Sequence, residues 1–108
     1  MTESEFLELA EQTLDAIEAS VEAAPIDVEV TRAGNVLTLE LADGARVVVN
    51  SQTPTQQIWV AAKSGGFHYE RRESEWRDTR DGTELFAALS RILSAHSATP
   101  VLLRPRGA

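Results

Sequence analysis

The sequence has 108 residues and no cysteine, and its 17 acidic side chains outnumber 10 basic ones for a formal net charge of −7. Disulfides, thiolate metal sites and cysteine nucleophiles are therefore excluded, and the net sign disfavours nucleic acid and anionic lipid as partners. A chain of this length, 43% hydrophobic and 25% charged, suits one domain, residues 1–108, with its own core. Its apolar runs are too short to span a bilayer. The N-terminus passes straight into an acidic helical pattern without an apolar leader, so a cytoplasmic protein is expected.

Thr2 with Glu5 reads as a capping box that opens a first helix. Phe6, Leu9, Ala10, Leu14, Ile17 and Val21 recur at helical spacing and define its apolar face. Ala24-Pro25 should end it near residue 23, because proline disfavours helical geometry in the residue before it. The pattern then changes to period two. Ile26, Val28 and Val30 alternate with Asp27, Glu29 and Thr31 as a half-buried strand. Gly34-Asn35 makes a turn into a second strand carrying Leu37, Leu39 and Leu41. Asp43-Gly44 reads as a two-residue hairpin, followed by the strand "ARVVVN". "SQTP" reads as a loop, with Pro54 blocking continuation. "QQIWVAA" is a fourth strand, with Ile58 and Val60 on one face and Gln57, Trp59 and Ala61 on the other. Gly65-Gly66 turns into "FHYER", and "SEWRD" makes a short sixth strand. Asp81 with Glu84 reads as a second capping box, opening a helix with Leu85, Phe86, Leu89, Ile92 and Leu93 inward. The tail "VLLRP" is expected to be extended and to tuck its apolar residues against a helix. The fold class is α+β: a two-layer α-β sandwich, N- and C-terminal helices packed on one face of an antiparallel sheet of about six strands.

The charge is unevenly placed. Residues 1–31 hold nine acids and no base. Glu8, Glu11, Asp15, Glu18 and Glu22 are spaced 3, 4, 3, 4, which confines them to about 80° of helix circumference. Like charges at these spacings cost roughly 0.2–0.5 kcal/mol per neighbouring pair. Glu18 and Glu22 also lie toward the negative end of the helix dipole, where a lysine would be favoured. Asp27 and Glu29 follow closely and extend the acidic surface to the first strand. One reading is a solvated face that serves solubility. The other is a cation-binding surface, whose carboxylates share one side of the molecule and are left unpaired by the chain's own arginines. Carboxylates without cysteine or a nearby histidine suit hard cations, among them iron, calcium, magnesium and manganese. The same row would dock a basic protein patch. A row on one exposed helix does not enclose an ion, so weak affinity and poor selectivity are expected.

Trp59 is the second anomaly. It falls on the open side of the sheet with Asn50, Gln52 and Gln57 close in sequence, which suits a protein-binding hot spot. Its alternative is a ring flattened over cross-strand neighbours. Trp76 reads as a core or a sheet-edge aromatic, with the core favoured. His68 on the sheet and His96 near a helix end lack metal-ligand spacing and read as surface or packing residues. Arg71, Arg72, Arg77 and Arg80 are interleaved with Glu73, Glu75 and Asp78 as a mixed-charge edge. No nucleophile motif or phosphate-binding loop is present.

The segment "NSQTPTQQIWVAAKSGGFHY" resembles the central signature of the frataxin family. The resemblance continues through "SEFLELAEQTLDAIE" at the start, the Asp43-Gly44 turn and "DGTELFAAL" at the last helix. It covers nearly the whole chain and implies a two-layer α-β sandwich. It further implies weak iron binding (Fe2+ or Fe3+) along the first helix and first strand. The implied partners are a cysteine desulfurase at that ridge and the iron–sulfur scaffold protein on the sheet. A monomer is expected, with iron-driven oligomers a further possibility. Carried over by position, Glu18, Glu22, Asp27 and Glu29 match ridge positions, Glu3 and Glu11 match acidic positions of the first helix, and Asp15 lies in the same stripe. Glu18 and Glu22, with Asn50, Gln52, Gln57 and Trp59, match partner-binding positions. Where family members often carry further acids at the end of the first helix, this chain reads "EAAP", which implies fewer or weaker iron sites. The function implied is an iron-binding regulator or iron donor in cluster assembly, without a catalytic site. A ferroxidase acting on Fe2+ at the ridge and a metal-independent protein adaptor are the alternatives.

Overall fold

A computed structural model of the chain describes residues 1–105. Helix α1 runs Glu3–Ala23. Its capping box is formed in both directions: Glu5 N–H donates to Thr2 Oγ1 at 3.1 Å, and Thr2 N–H donates to Glu5 Oε1 at 2.7 Å. The bond from Thr2 N–H favours the ionised form and holds the Glu5 carboxyl below the usual range. The helix stops where Ala24 turns extended ahead of Pro25. Six strands follow, β1 (Val28–Ala33), β2 (Val36–Leu41), β3 (Arg46–Gln52), β4 (Gln57–Ala62), β5 (Gly65–Arg72) and β6 (Glu75–Asp78), and helix α2 (Leu85–Ser94) closes the order. The strands form one sheet in chain order, each antiparallel to the next.

Alternation places Leu37, Leu39, Leu41, Val47, Val49, Ile58 and Val60 on one face, where they join Phe6, Leu14, Ile17, Val21, Leu85, Leu89 and Leu93 in a single buried cluster. Both helices therefore cover the same face, and the other is open. Trp76 belongs to this core. It meets Phe6 edge-on with centroids 6.1 Å apart, and its Nε1–H donates to Thr13 Oγ1 at 2.9 Å. The extended tail buries Val101 and Leu103. Ser90 Oγ accepts from Leu103 N–H at 2.8 Å, and Ser20 Oγ on α1 accepts from Arg104 N–H at 3.1 Å, so the tail straps α2 to α1.

Four local expectations are corrected. The β2–β3 loop is three residues, 42–44, rather than two: Leu41 N–H donates to Ala45 O, and Gly44 supplies the left-handed φ of +88°. Ser51 and Gln52 belong to β3 rather than to a loop, pairing with Ile58 and Gln57. Pro54 removes a donor only where it sits, in a one-turn 3-10 segment over Thr53–Thr55. The β4–β5 turn lies at Lys63-Ser64, and Gly65 and Gly66 already pair with Ala62 and Ala61. Glu84, not Asp81, caps α2, accepting from Phe86 N–H and Ala87 N–H at 2.8 and 3.1 Å. Asp81 instead accepts from Thr83 N–H at 2.9 Å within the preceding loop, a bond that holds its carboxyl below the usual range.

Candidate functional site

The acidic surface is built on two adjoining elements. Glu8, Glu11, Asp15 and Glu22 are exposed along α1 and Glu18 is half-buried. Sheet order makes β1 an edge strand, with Asp27 just before it and Glu29 exposed on its open side. Glu29 pairs in register with Glu40 of β2, a carboxylate that period-two alternation of the second strand already placed on that face. Glu40 in turn accepts from Arg46 at 3.2 Å. Glu3 stands in the first turn of α1, and a rise of 1.5 Å per residue separates it from Glu22 by about 28 Å. The residues expected to bind metal thus form a line rather than a cage. Among the described residues, no three carboxylate or imidazole groups are grouped as a metal site would be. Such a line offers hard oxygen donors for one- or two-point contacts to a cation.

One part of the line is not free. Arg32 reaches from β1 to Asp15 Oδ1 at 2.9 Å and Glu18 Oε1 at 3.4 Å. The expectation that the whole stripe is left unpaired by the chain's own arginines is corrected at these two positions. The cause is register: Arg32 continues the series Ile26, Val28, Val30, so it lies on the helix side of the edge strand. Among the described residues, Glu3, Glu11, Glu22, Asp27 and Glu29 have no ion-pair partner; the pairs formed are those of Arg32, Arg46, Arg72, Arg77 and His96.

The open face carries the second surface. Register aligns Ala33, Val36, Asn50, Trp59 and His68 in one row and Thr31, Thr38, Val48, Ala61 and Gly66 in the next. Neither row holds a carboxylate, lysine or arginine. Trp59 is half-buried and lies flat on His68, with ring centroids 4.3 Å apart and planes 12° from parallel. Its Nε1–H donates to Gln57 Oε1 at 2.7 Å, and Gln52 Nε2 donates to Asn50 Oδ1 at 2.6 Å. The ring is thus flattened over a neighbour and presented among amides at once. His68 lies on the sheet as a packing residue, as expected; what sequence reading did not give is that Trp59 is the ring it packs on.

The remaining polar groups serve the scaffold. His96 Nδ1 lies 2.6 Å from Asp43 Oδ2, joining the end of α2 to the β2–β3 loop. That contact, with a bond from Ala45 N–H, holds the Asp43 carboxyl below the usual range. Arg72 pairs with Glu70 at 2.6 Å, Arg77 pairs with Glu75, and the Arg71 guanidinium lies 5.5 Å from the Trp76 ring centroid. Two of the four arginines of this edge, Arg72 and Arg77, are thus paired with carboxylates of the same edge.

An α+β sandwich with two helices on one face of a six-stranded meander, an acidic edge and a tryptophan on the open face defines the class of protein. Residues 1–99 match the frataxin-like domain model. The iron-sulfur cluster assembly protein CyaY of Herminiimonas arsenicoxydans is 54% identical over 112 residues, covering 99% of this chain and all of its own. The protein of the same name from Ralstonia nicotianae is 52% identical over 107 residues, covering 95% of each chain. The solved frataxin of Psychromonas ingrahamii superposes with a TM-score of 0.88 at 34% identity, covering 94% of this chain and 97% of its own. Trimeric frataxin from the yeast Saccharomyces cerevisiae, complexed with ferrous iron, gives a TM-score of 0.67 at 29% identity, covering 92% and 88%. The chain belongs to the frataxin family.

Proposed function

We propose that this protein serves cytoplasmic iron–sulfur cluster assembly as an iron-binding regulator or iron donor, with no catalytic site of its own. The observation that carries this reading is the line of carboxylates from Glu11 through Glu22 and Asp27 to Glu29 on one exposed edge. The names of the bacterial relatives place them in cluster assembly, and the yeast homologue is complexed with ferrous iron. The ridge binds Fe2+ or Fe3+ weakly, and its Glu18 and Glu22 dock a basic patch on the cysteine desulfurase. The scaffold protein meets Trp59, Asn50, Gln52 and Gln57 on the open face. Iron and desulfurase share carboxylates, so each weakens the other's binding.

The test is NMR titration of labelled protein, once with ferrous iron under nitrogen and once with the desulfurase. Both are expected to shift signals within residues 11–29, and iron is expected to displace the desulfurase. Shifts confined to separate surfaces, or no mutual effect, overturn the reading. Glu18→Lys with Glu22→Lys should abolish desulfurase binding while leaving the fold intact.

A further inference from the structure

Arg32 is the first base in the sequence, and it lies among the carboxylates at the middle of the ridge. Its side chain is only 19% exposed, against 53% for Asp15 and 32% for Glu18. Its Nε–H donates to Gly34 O in the β1–β2 turn at 2.8 Å, which fixes the plane of the guanidinium. Its Nη1 is shared between Asp15 Oδ1 and Glu18 Oε1. Both carboxylates thus meet one corner of a planar guanidinium. Glu11 lies on the same groove as Arg32, a recess of about 230 Å³ that also includes Leu14, Gly34 and Asn35, so the guanidinium borders a surface that solvent and ligands reach.

We propose that Arg32 is a built-in counter-cation, an autoinhibitory contact that keeps Asp15 and Glu18 out of cation binding and divides the ridge into two separate acidic stretches. This rests on the reading of the ridge as a cation-binding surface. Asp15 and Glu18 remain partly exposed and each keeps a second carboxylate oxygen, but a dication approaching them meets a fixed positive charge within a few ångströms. Glu3, Glu8 and Glu11 lie on one side of this block, and Glu22, Asp27 and Glu29 on the other. An incoming metal ion therefore binds first at the outer stretches. A partner's arginine gains Asp15 and Glu18 only by displacing Arg32 toward the groove.

The test uses ferrous iron under nitrogen for affinity and La3+, a diamagnetic hard cation, for carboxyl 13C shifts. In the wild type, the Glu22, Asp27 and Glu29 carboxyl carbons are expected to respond at lower La3+ than those of Asp15 and Glu18. In Arg32→Gln, Asp15 and Glu18 should respond together with Glu22, and Fe2+ affinity should rise about tenfold through loss of the local repulsion. Lys63→Gln removes the same formal charge from the β4–β5 turn, three strands across the sheet from β1, and should leave affinity within about threefold of wild type. Equal gains in both variants, or Asp15 and Glu18 unmoved in Arg32→Gln, overturn the proposal. So does an Asp15 or Glu18 response that leads the wild-type titration, a measurement that stands even if the variant does not fold. Wild-type binding with an unaltered Arg32→Gln variant defeats this inference alone. Absence of Fe2+ and La3+ binding in every form defeats the ridge reading itself.

Discussion

Trp76 and Trp59 lie on opposite faces of the same sheet, and their environments assign them opposite consequences. Trp76 is 2% exposed and satisfies its N–H on Thr13. Replacing it with Phe removes that bond and leaves a void, so Trp76→Phe should cost about 1–3 kcal/mol in urea unfolding. Trp59→Ala uncovers His68 but opens no core cavity. It should lower stability by less than about 1.5 kcal/mol while weakening scaffold binding at least about tenfold, as calorimetric titration of both variants would show. Tyr69 gives a pH prediction. Burial first, then the Asp78 and Asp81 carboxylates, push its hydroxyl up to about 12 from an ordinary 10. The folded state favours the neutral phenol, so its contribution is complete below pH 10 and is lost as pH rises from 10 to 12. Tyr69→Phe should flatten that alkaline decline in stability, and absorbance titration of the phenolate in the wild type should show the raised midpoint.

At the scale of elements, α1 is a helix whose two ends are treated differently. Its N-terminus has a complete capping box and acids at Glu3 and Glu5, while its last turn has no base. Glu22→Lys reverses a charge beside exposed helix carbonyls and relieves the neighbouring Glu18. It should stabilise the protein by about 0.5–1 kcal/mol and raise the melting temperature, while weakening Fe2+ and desulfurase binding. A gain in stability with a loss of binding is the signature expected of carboxylates kept for a ligand rather than for the fold. The limits of α1 and the identities of the strands were legible because periodicity, the Thr2–Glu5 box and Pro25 act locally, whereas the cap of α2 was placed three residues early, at Asp81 rather than Glu84. Register was less legible. A turn centred on Gly65-Gly66 would set Trp59 opposite Arg72, whereas the observed turn at Lys63-Ser64 sets it opposite His68. The glycines drew the turn two residues too far because Gly65, at φ +139°, is needed for the backbone entering β5 rather than for the turn itself. That slip hid the pairing of Trp59 with His68.

At the scale of the whole molecule, the tail is a strap across two helices that share one core. Leu103 is 2% exposed, and its backbone is bonded to Ser90. Leu103→Ala should cost about 2–4 kcal/mol in chemical denaturation, and hydrogen exchange should rise in both helices rather than in the tail alone. The acidic edge was legible as composition, since nine acids precede the first base. The block at Asp15 and Glu18 was not, because Arg32 comes 14 residues after Glu18 in sequence and meets it only when β1 folds beside α1. Its alternation with Val28 and Val30 was the available signal, masked by the habit of reading inward-facing strand positions as apolar. The two neutral rows of the open face have a consequence for how partners would be separated. A partner bound there would draw on stacking and amide contacts, which mobile ions scarcely screen, whereas one bound at the ridge would draw on exposed charge that they do. A modest rise in ionic strength should therefore release a partner held at the edge and leave one held on the sheet, so that a salt gradient takes a ternary assembly apart in a fixed order.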